Sequence, residues 1–291
     1  MFRLKYPTEQ SDPPLSPRET LPTMYDLPSE DPEESGVDQF HDFQPELLWL
    51  TFQPVNYRSD YRSDRVFSAS DLNLYYDVHH QNWYKRPDWF GVVGVPRLYD
   101  GHDLRLSYVI WQEGVSPSLI VELLSPSTEK EDLGENRPEY DNSNNGYGDD
   151  INGYADKPPS KWEVYERILR VPYYVVYSPY TDQLRVFVLR GDRYERLILT
   201  EPRVWLKELG IGLGLWDGEY KGIHRLWLRF YDADGNWILT DTESASKLAE
   251  MEGQRAEYLE QRVENAEQRA EAAEQRAKYL EQRLKELGIN P

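Results

Sequence analysis

The sequence predicts a mixed α/β domain followed by a long C-terminal helix, and three observations support this fold class. Hydrophobic residues make up 39% of the 291 residues and aromatic residues 13%, which is enough to bury a core and excludes disorder of the whole chain. The central segments follow the order helix, three strands, helix and further strands, which is typical of a mixed sheet. In the tail, the triplet Glu-Gln-Arg recurs every seven residues, which indicates a helical repeat.

Charge divides the chain into an arm, a folded part, an insertion and a tail. Residues 1–42 are rich in proline and carry a net charge of −7, so we expect a poorly ordered acidic arm. Residues 43–240 contain the strand-like segments and are predicted to form the folded domain. Within them, residues 129–160 carry a net charge of −6 and almost no aliphatic residues, which favours a long acidic loop insertion. Residues 241–291 contain the heptads.

The remaining composition narrows the chemistry and the compartment. There is no cysteine, which excludes disulfides, thiolate metal sites and cysteine nucleophiles. No apolar run approaches the roughly 18 residues of a membrane span, and the N-terminus lacks an apolar signal segment. We therefore expect a cytoplasmic protein without a membrane partner. The net charge of −19 lies mainly in the arm, the insertion and the tail, so it excludes no class of partner for the central part.

The first half of the domain is predicted to contain one helix and several strands. The helix is expected to begin at QPELLWLTF, because Pro45 suits the first turn of a helix. Strand-like segments, rich in β-branched or aromatic residues and bounded by turn residues, follow at 70–77, 84–95, 106–112 and 117–125.

The second half begins with a capped helix. Ser160 is a good N-cap, and Glu163 stands three residues later, as in a capping box. The apolar face of this helix is predicted to consist of Val164, Tyr165, Ile168 and Leu169. The strands VPYYVVYSP, QLRVFVLR and RYERLIL follow, and a hairpin is expected around Asp234-Gly235.

The heptads of the tail predict a coiled coil. Apolar residues fall at positions a (Ala256, Val263, Ala270, Ala277, Leu284) and d (Leu259, Ala266, Ala273, Leu280, Leu287). Arginine occupies position g at 262, 269 and 276, and glutamate occupies position e at 267, 274 and 281. In a parallel pair these opposite charges face each other, whereas an antiparallel pair would bring like charges together. The pattern therefore favours a parallel homodimer, and a solvated single helix with a narrow alanine stripe stays open as the alternative.

Two acidic residues occupy positions where burial is costly. Glu122 lies within the apolar run LIVELL, and Asp88 precedes the apolar segment WFGVV. A carboxylate taken out of water costs several kcal/mol unless it is paired, protonated or bound to a metal. If the two strands are neighbours, the carboxylates can converge, and such a pair suits a hard cation such as Mg²⁺ or Mn²⁺ that activates water against a phosphoryl group. Lys161, at the start of the capped helix, could complete the site by orienting a water or screening a phosphate.

Each of these residues also has a purely structural interpretation. Glu122 could pair with an arginine, Asp88 could open a turn, and Lys161 could be solvated. His79 and His80 cannot easily share a metal ion, because neighbouring strand residues point to opposite faces. The aspartates of the acidic insertion are interpreted as solvating residues: Asp132, Asp141, Asp149 and Asp150.

Several stretches of the chain carry a resemblance to a known family. They are RPDWFGVVGV, PSLIVELLSPST, KEDLG, PPSKWEVYERILRVPYYVVYSP and the later GLWDGEYKG with LWLRFYDADGNW. Over residues 43–240 they resemble the Uma-type restriction endonucleases, which are members of the PD-(D/E)xK nuclease-like superfamily.

The resemblance implies a restriction-endonuclease-like αβββαβ core with extra C-terminal strands, and divalent-metal-dependent hydrolysis of phosphodiester bonds in DNA. By motif, Asp88 and Glu122 match the metal-binding acids of the family, and Lys161 matches a catalytic lysine on the following helix, with Tyr165 as a supporting residue. The lysine of the superfamily usually stands two residues after the second acid, where this chain has Leu124. That departure and the acidic insertion set the chain apart from the superfamily pattern.

Three functions compete at this point. The first is a Mg²⁺- or Mn²⁺-dependent DNA endonuclease, whose dimer would supply one active site for each strand. The second is a scaffold that keeps the nuclease fold without useful catalysis and dimerises through the tail, which Leu124 and the insertion favour. The third is a glycosidase with two carboxylates. DNA binding needs a basic surface, and residues 161–240 are only slightly basic, with 12 lysines and arginines against 11 acids.

Overall fold

The two predicted acids belong to neighbouring strands of one mixed sheet, which has six strands within the described residues. Glu122 lies within one of these strands, and Asp88 directly precedes the other. The computed structural model describes residues 16–23, 26, 39–54, 65–124, 129–134 and 157–287. Most of the acidic arm, most of the acidic insertion and the aspartates at 141, 149 and 150 lie outside these ranges. The chain divides into two units, Met1–Ile238 and Leu239–Pro291.

The helices and strands have the following bounds. The helices are α1 Pro17–Thr20, α2 Gln39–Thr51, α3 Ile110–Glu113, α4 Glu129–Asp132, α5 Lys161–Glu163, which continues into a π turn at Val164–Ile168, and α6 Asp241–Glu286. The strands are β1 Val66–Ala69, β2 Leu74–Tyr75, β3 Tyr84–Lys85, β4 Trp89–Val93, β5 Tyr108–Val109, β6 Leu119–Leu123, β7 Tyr173–Ser178, β8 Gln183–Arg190, β9 Arg193–Arg196, β10 Arg203–Leu206, β11 Ile211–Tyr220 and β12 Ile223–Tyr231.

The central sheet has the strand order β1-β4-β6-β7-β8-β9. In it β6 and β7 pair in parallel, while the other neighbouring strands are antiparallel. Together with α2 and α5, the strands β1, β4, β6 and β7 follow the αβββαβ order along the chain. The predicted mixed α/β class is therefore confirmed, and the arrangement is consistent with a restriction-endonuclease-like core.

Two of the predicted strands belong to a different sheet. The first strand of the core is β1, which the sequence did not predict. The segments 70–77 and 106–112 contribute only β2 and β5, which pair in parallel beside β3 in a separate sheet. The placement of segments 70–77 and 106–112 among the strands of the core is therefore wrong. Aromatic and β-branched residues indicate burial on a pleated surface, but they do not identify the sheet that a strand joins.

The main C-terminal hairpin lies upstream of the predicted one. β11 and β12 pair along their length and turn at Lys221 and Gly222. The expected turn at Asp234-Gly235 exists, but in the described residues it is closed by a single bridge between Tyr231 and Trp237. Glycines within β11 lower its strand propensity, so the sequence pattern did not indicate this strand.

The central sheet separates two apolar layers, and Glu122 points into one of them. Val121 and Leu123 of β6 face the layer that contains α2 and β10–β12, whereas Ile120 and Leu124 face the layer that contains α5. Because side chains alternate along a strand, Glu122 shares the face of Ile120 and meets α5. This alternation agrees with the sequence prediction.

The helix α2 begins at Gln39, before the predicted start, so that Pro45 lies inside the helix. Next to the proline, the buried side chain of Gln44 exchanges two hydrogen bonds with the backbone of Leu228, at 2.7 and 2.8 Å. These tertiary hydrogen bonds hold the first turns against the sheet layer despite the N–H group that proline lacks. The predicted start is wrong because a partner far away in sequence stabilises this part of the helix.

The helix after the insertion starts as predicted and then departs from α geometry. The Oγ of Ser160 accepts a hydrogen bond from the N–H of Glu163 at 3.2 Å, which confirms the N-cap. In the π turn that follows, the N–H of Leu169 donates to the carbonyl of Val164 at 2.8 Å. This wider turn leaves Ile168 44% exposed, although helical spacing predicted it on the apolar face.

The second unit contains α6, a continuous helix with a complete N-terminal cap. Thr240 and Glu243 form a reciprocal capping box, with hydrogen bonds of 2.8 and 3.2 Å. Its heptad a and d residues are exposed, including Leu259, Val263 and Leu280, except for Leu284, which is half-buried. The coiled coil therefore stays a prediction. Each helix in the described residues is too short or too polar to span a lipid bilayer.

We expect the full chain to be a parallel dimer through α6, and a chain ending at Thr240 to be a monomer. Changing the arginines at 262, 269 and 276 to glutamate should weaken the dimer by about 3 kcal/mol, because glutamate would then face glutamate. Changing the glutamates at 267, 274 and 281 to arginine as well should restore it. Sedimentation-velocity centrifugation measures the mass, and a monomeric full chain would contradict the prediction.

Candidate active site

Asp88 and Glu122 converge because β4 and β6 are antiparallel neighbours. Trp89 is in register with Val121, which places the residue before β4 beside the end of β6. The N–H of Asp88 donates to Glu122 Oε2 at 3.3 Å, and the N–H of Leu123 donates to Asp88 Oδ2 at 2.5 Å. The structure thus brings together the two acids that the sequence selected as a pair.

Lys161 and Tyr165 reach Glu122 from α5 and its π turn. Lys161 Nζ lies 3.3 Å from Glu122 Oε2, and the hydroxyl of Tyr165 donates to Glu122 Oε1 at 2.9 Å. Glu122 and Tyr165 are fully buried, whereas 18% of the Lys161 side chain is exposed. The predicted site residues Asp88, Glu122, Lys161 and Tyr165 therefore lie in one cluster, and their roles in catalysis remain predictions.

Asp132 is a further member of this cluster, and its interpretation as a solvating residue is wrong. It is buried at the end of α4, and its Oδ1 lies 2.9 Å from Lys161 Nζ. The hydroxyl of Tyr174 donates to the carbonyl of Asp132 at 2.8 Å and holds the turn against the sheet. The hydrophilic composition of the insertion hid this contact. The available signal was Leu133, an isolated aliphatic residue that packs against the core.

His41 also approaches the site, and no sequence pattern had indicated it. Its Nε2 lies 3.0 Å from the carbonyl oxygen of Leu123 and 4.0 Å from Asp88 Oδ2. The residue comes from the first turn of α2, a stretch assigned by composition to the acidic arm. His80, by contrast, hydrogen-bonds Asp77 at 2.7 Å, and neither it nor His79 contacts the site among the described residues.

Burial and mutual repulsion shape the protonation of the cluster. Burial raises the pKa of the Glu122 carboxyl well above its usual range, and the carboxylates of Asp88 and Asp132 raise it further, against the ammonium of Lys161. Burial likewise raises the pKa of Asp88. Although burial alone would lower the pKa of Lys161, the three surrounding carboxylates raise it above its ordinary value. Lys161 is therefore an ammonium ion at neutral pH.

Tyr165 completes the local hydrogen bonding as a neutral phenol. Burial raises its pKa well above the ordinary value, and the neighbouring Glu122 carboxylate adds to this shift. Its hydroxyl therefore keeps its proton and donates to Glu122 across the physiological range of pH. Glu122 pairs with Lys161 and Tyr165 rather than with an arginine in the described part of the chain, so the arginine interpretation of this acid is not supported.

The donor set fits a hard divalent cation held by two carboxylates. The cluster combines three carboxyl groups with one lysine, so it has an excess of negative charge. Asp88 is partly exposed, and within the described residues its Oδ1 has no hydrogen-bond partner. In the described part of the chain as a whole, no three His, Asp or Glu side chains are arranged so that all of them could hold one metal ion. Mg²⁺ commonly binds through one or two carboxylates and keeps several waters, so Asp88 and Glu122 suffice in number and type.

Comparison with known proteins identifies the family of this chain. No curated protein matches it. The family model Uma2, described as "putative restriction endonuclease", matches residues 16–218, which is more than two thirds of the chain. The match includes Asp88, Glu122, Lys161 and Tyr165 and ends before α6. The resemblance predicted from the motifs is confirmed, and the chain belongs to the Uma2 family of restriction-endonuclease-type proteins.

Proposed function

We propose that this protein is a Mg²⁺- or Mn²⁺-dependent endonuclease that hydrolyses phosphodiester bonds of DNA. The observation that carries the proposal is the convergence of the partly exposed Asp88 and the buried Glu122 beside the ammonium of Lys161. Membership of the Uma2 family supports a nuclease at a coarse level. Asp88 and Glu122 would hold the metal, which when bound lowers the pKa of a water ligand and neutralises charge on the phosphoryl group.

The residues around the two acids have separate tasks in this proposal. Tyr165 and the backbone N–H of Asp88 hold the Glu122 carboxylate in one orientation, and the N–H of Leu123 does the same for Asp88. Lys161, whose side chain is partly exposed, orients the attacking water or screens a phosphate oxygen with its ammonium.

Leu124 explains why the lysine of this proposal comes from α5. Leu124 is buried in the apolar layer beside α5, so a lysine at this position would have to leave its charge among apolar side chains. Lys161 approaches Glu122 from the helix and supplies the ammonium without that cost. The departure from the superfamily pattern therefore moves the charge to another element and keeps it at the same carboxylate.

A nuclease-fold binding protein without useful catalysis is the second candidate. It is favoured by the two carboxylates that already contact Lys161, Glu122 at 3.3 Å and Asp132 at 2.9 Å. An ammonium held between two carboxylates has less freedom to assist a water. In this case the coiled-coil dimer would present two binding surfaces, and the cluster would serve to hold α4 and α5 on the sheet.

Metal binding and cleavage distinguish the two candidates. At about a hundredfold excess over its Kd, Mg²⁺ or Mn²⁺ should raise the Tm of the wild type by about 5–10 °C, and should support cleavage of duplex DNA. Asp88→Asn should lose both effects, because it removes one of two charged ligands. Asp217→Asn makes the same chemical change at a 72% exposed side chain and should retain both.

Each outcome of this experiment supports or contradicts a different part of the proposal. Stabilisation by metal that depends on Asp88, without cleavage, would support the binding protein. Equal stabilisation of wild type and Asp88→Asn would contradict the metal site, and cleavage by Asp88→Asn at the wild-type rate would contradict the nuclease mechanism.

A further inference from the structure

The turn α4 is fastened above the site by three ion pairs, each to a different element. Glu129 contacts Arg185 of β8 at 3.9 Å. Glu131 contacts Lys85 of β3, also at 3.9 Å. Asp132 contacts Lys161 of α5 at 2.9 Å. A turn of four residues thus neutralises three cations that come from three separate parts of the chain.

These cations flank the carboxylate pair. Arg185 is in register with Val176, and Val176 is in register with Glu122, so the three side chains lie in one row on the α5 face of the sheet. Lys85 comes three residues before Asp88, just ahead of β4, and β4 lies on the opposite side of β6 from β8 in the sheet order. The charges of Glu122 and Lys161 both act on Lys85. A polyanion that enters the site over Glu122 would therefore meet Lys85 on one side and Arg185 on the other.

The three ion pairs differ in how readily another anion can replace the carboxylate of the pair. Asp132 is buried and lies within hydrogen-bond distance of Lys161. Glu129 and Glu131 are about half exposed, at 50% and 47%, and contact their cations only at 3.9 Å. Loose pairs of exposed carboxylates are weak and easily replaced by another anion. The cations themselves are largely enclosed and hence fixed in position, with 12% of Lys85 and 19% of Arg185 exposed.

We propose that Lys85 and Arg185 bind the phosphate backbone of DNA on the two sides of the site, and that Glu129 and Glu131 occupy these cations until DNA displaces them. The proposal rests on the proposed function, since it assumes that a nucleic acid enters the site. It makes α4 an internal competitor of the substrate, with Asp132 as the anchor of the turn. It also accounts for an acidic segment beside a site that must accept a polyanion.

Binding of a DNA duplex by the full chain tests the proposal. The probe is a labelled duplex of about 30 base pairs in buffer with EDTA, followed by fluorescence anisotropy from about 50 to 200 mM salt, so that cleavage does not interfere. Lys85→Gln and Arg185→Gln should each weaken binding and reduce the slope of log K against log salt by about 1. The double variant Glu129→Gln/Glu131→Gln should bind about tenfold more tightly at the lowest salt.

The chain offers a matched control in the same pair of strands. Arg190 and Glu195 form an exposed ion pair of 3.1 Å on β8 and β9, remote along β8 from the row of Glu122. Arg190→Gln and Glu195→Gln make the same chemical changes and should leave affinity and salt slope unchanged. The single variants Glu129→Gln and Glu131→Gln, each checked for an unchanged Tm, replace the double variant if it fails to fold.

Wild-type affinity for Glu129→Gln/Glu131→Gln, or a wild-type salt slope for Lys85→Gln and Arg185→Gln, would overturn the proposal. If metal-dependent cleavage is intact in that case, the proposed nuclease function stands and only this inference fails. If the affinities change as expected but no variant and no wild-type protein cleaves DNA, the inference holds and the nuclease function fails.

Discussion

Replacing Lys161 by methionine is expected to destabilise the folded domain by about 3–5 kcal/mol and to reduce cleavage by about a hundredfold or more. The ammonium of Lys161 lies between Glu122 and Asp132, which are both buried. Methionine fills a similar volume but leaves two enclosed carboxyl groups without their cation. Breaking a buried pair from one side is costly, because the remaining charge can neither reach water nor find another partner.

Urea denaturation of a small set of variants measures this effect. The matched control is Lys278→Met, which removes an exposed lysine paired with Glu274 at 2.8 Å on α6 and should change the free energy of unfolding by less than about 0.5 kcal/mol. Combining Lys161→Met with Glu122→Gln and Asp132→Asn should recover much of the lost stability, because the uncompensated charges are then removed. A Lys161→Met protein as stable as the control would show that the ammonium does not neutralise this cluster.

Without metal, the free energy of unfolding is expected to fall as the pH rises from mildly acidic to neutral values, and Glu122→Gln should make this fall shallower. Burial raises the pKa of Glu122 in the folded chain above the ordinary value of 4.5, so the folded state binds a proton that the unfolded state has released. The stability from this group is present below its ordinary pKa and is lost as the pH rises through the raised pKa. Asp88 acts in the same direction.

The size of this effect follows from linkage. Each unit by which the folded pKa exceeds the unfolded pKa corresponds to about 1.4 kcal/mol between the two ends of the range. Asp88, Asp132, Lys161 and Tyr165 face the Glu122 carboxyl and contribute to its pKa. Glutamine cannot ionise, so Glu122→Gln should be more stable than the wild type at pH values above the raised pKa.

Denaturation in EDTA at a series of pH values tests the sign as well as the size. Glu195→Gln is the control, because this glutamate is 63% exposed and its replacement should leave the dependence on pH unchanged. Parallel curves for wild type and Glu122→Gln would mean that folding does not raise the pKa of Glu122, and would contradict the burial and the repulsion by Asp88 and Asp132 from which the raised pKa was inferred.

The fold could be predicted from local patterns where those patterns are strong. Local geometry could be predicted for three segments: the alternation in LIVELL, the N-cap at Ser160 and the heptads of the tail. The class of the domain followed from the order of the predicted helices and strands. β1 and β11 could not be predicted in this way, because a short strand or a glycine-rich strand becomes stable only through its neighbours. The π turn at Val164–Ile168 likewise depends on packing that a helical period does not contain.

The same division applies to the site. Glu122 and Asp88 were identifiable because an acid in or next to an apolar strand requires a partner. Lys161 followed from its place at the start of the capped helix, and the family resemblance added Tyr165. Asp132 and His41 could not be found in this way. Asp132 belongs to a hydrophilic segment, and His41 contacts the backbone of a residue 82 positions away.

By itself, the sequence determined which groups would need a partner. Carboxylates next to apolar strands require a cation, and the heptad stripe with its charged flanks favours a second helix. Only the tertiary structure decided how this neutralisation is achieved. It placed Lys161 between Glu122 and Asp132, and it brought the acidic residues of α4 into contact with Lys85 of β3 and Arg185 of β8. The physical reason is that the cost of burying a charge is a property of the residue and its segment, whereas the compensating contact depends on atoms that only folding brings within a few ångströms.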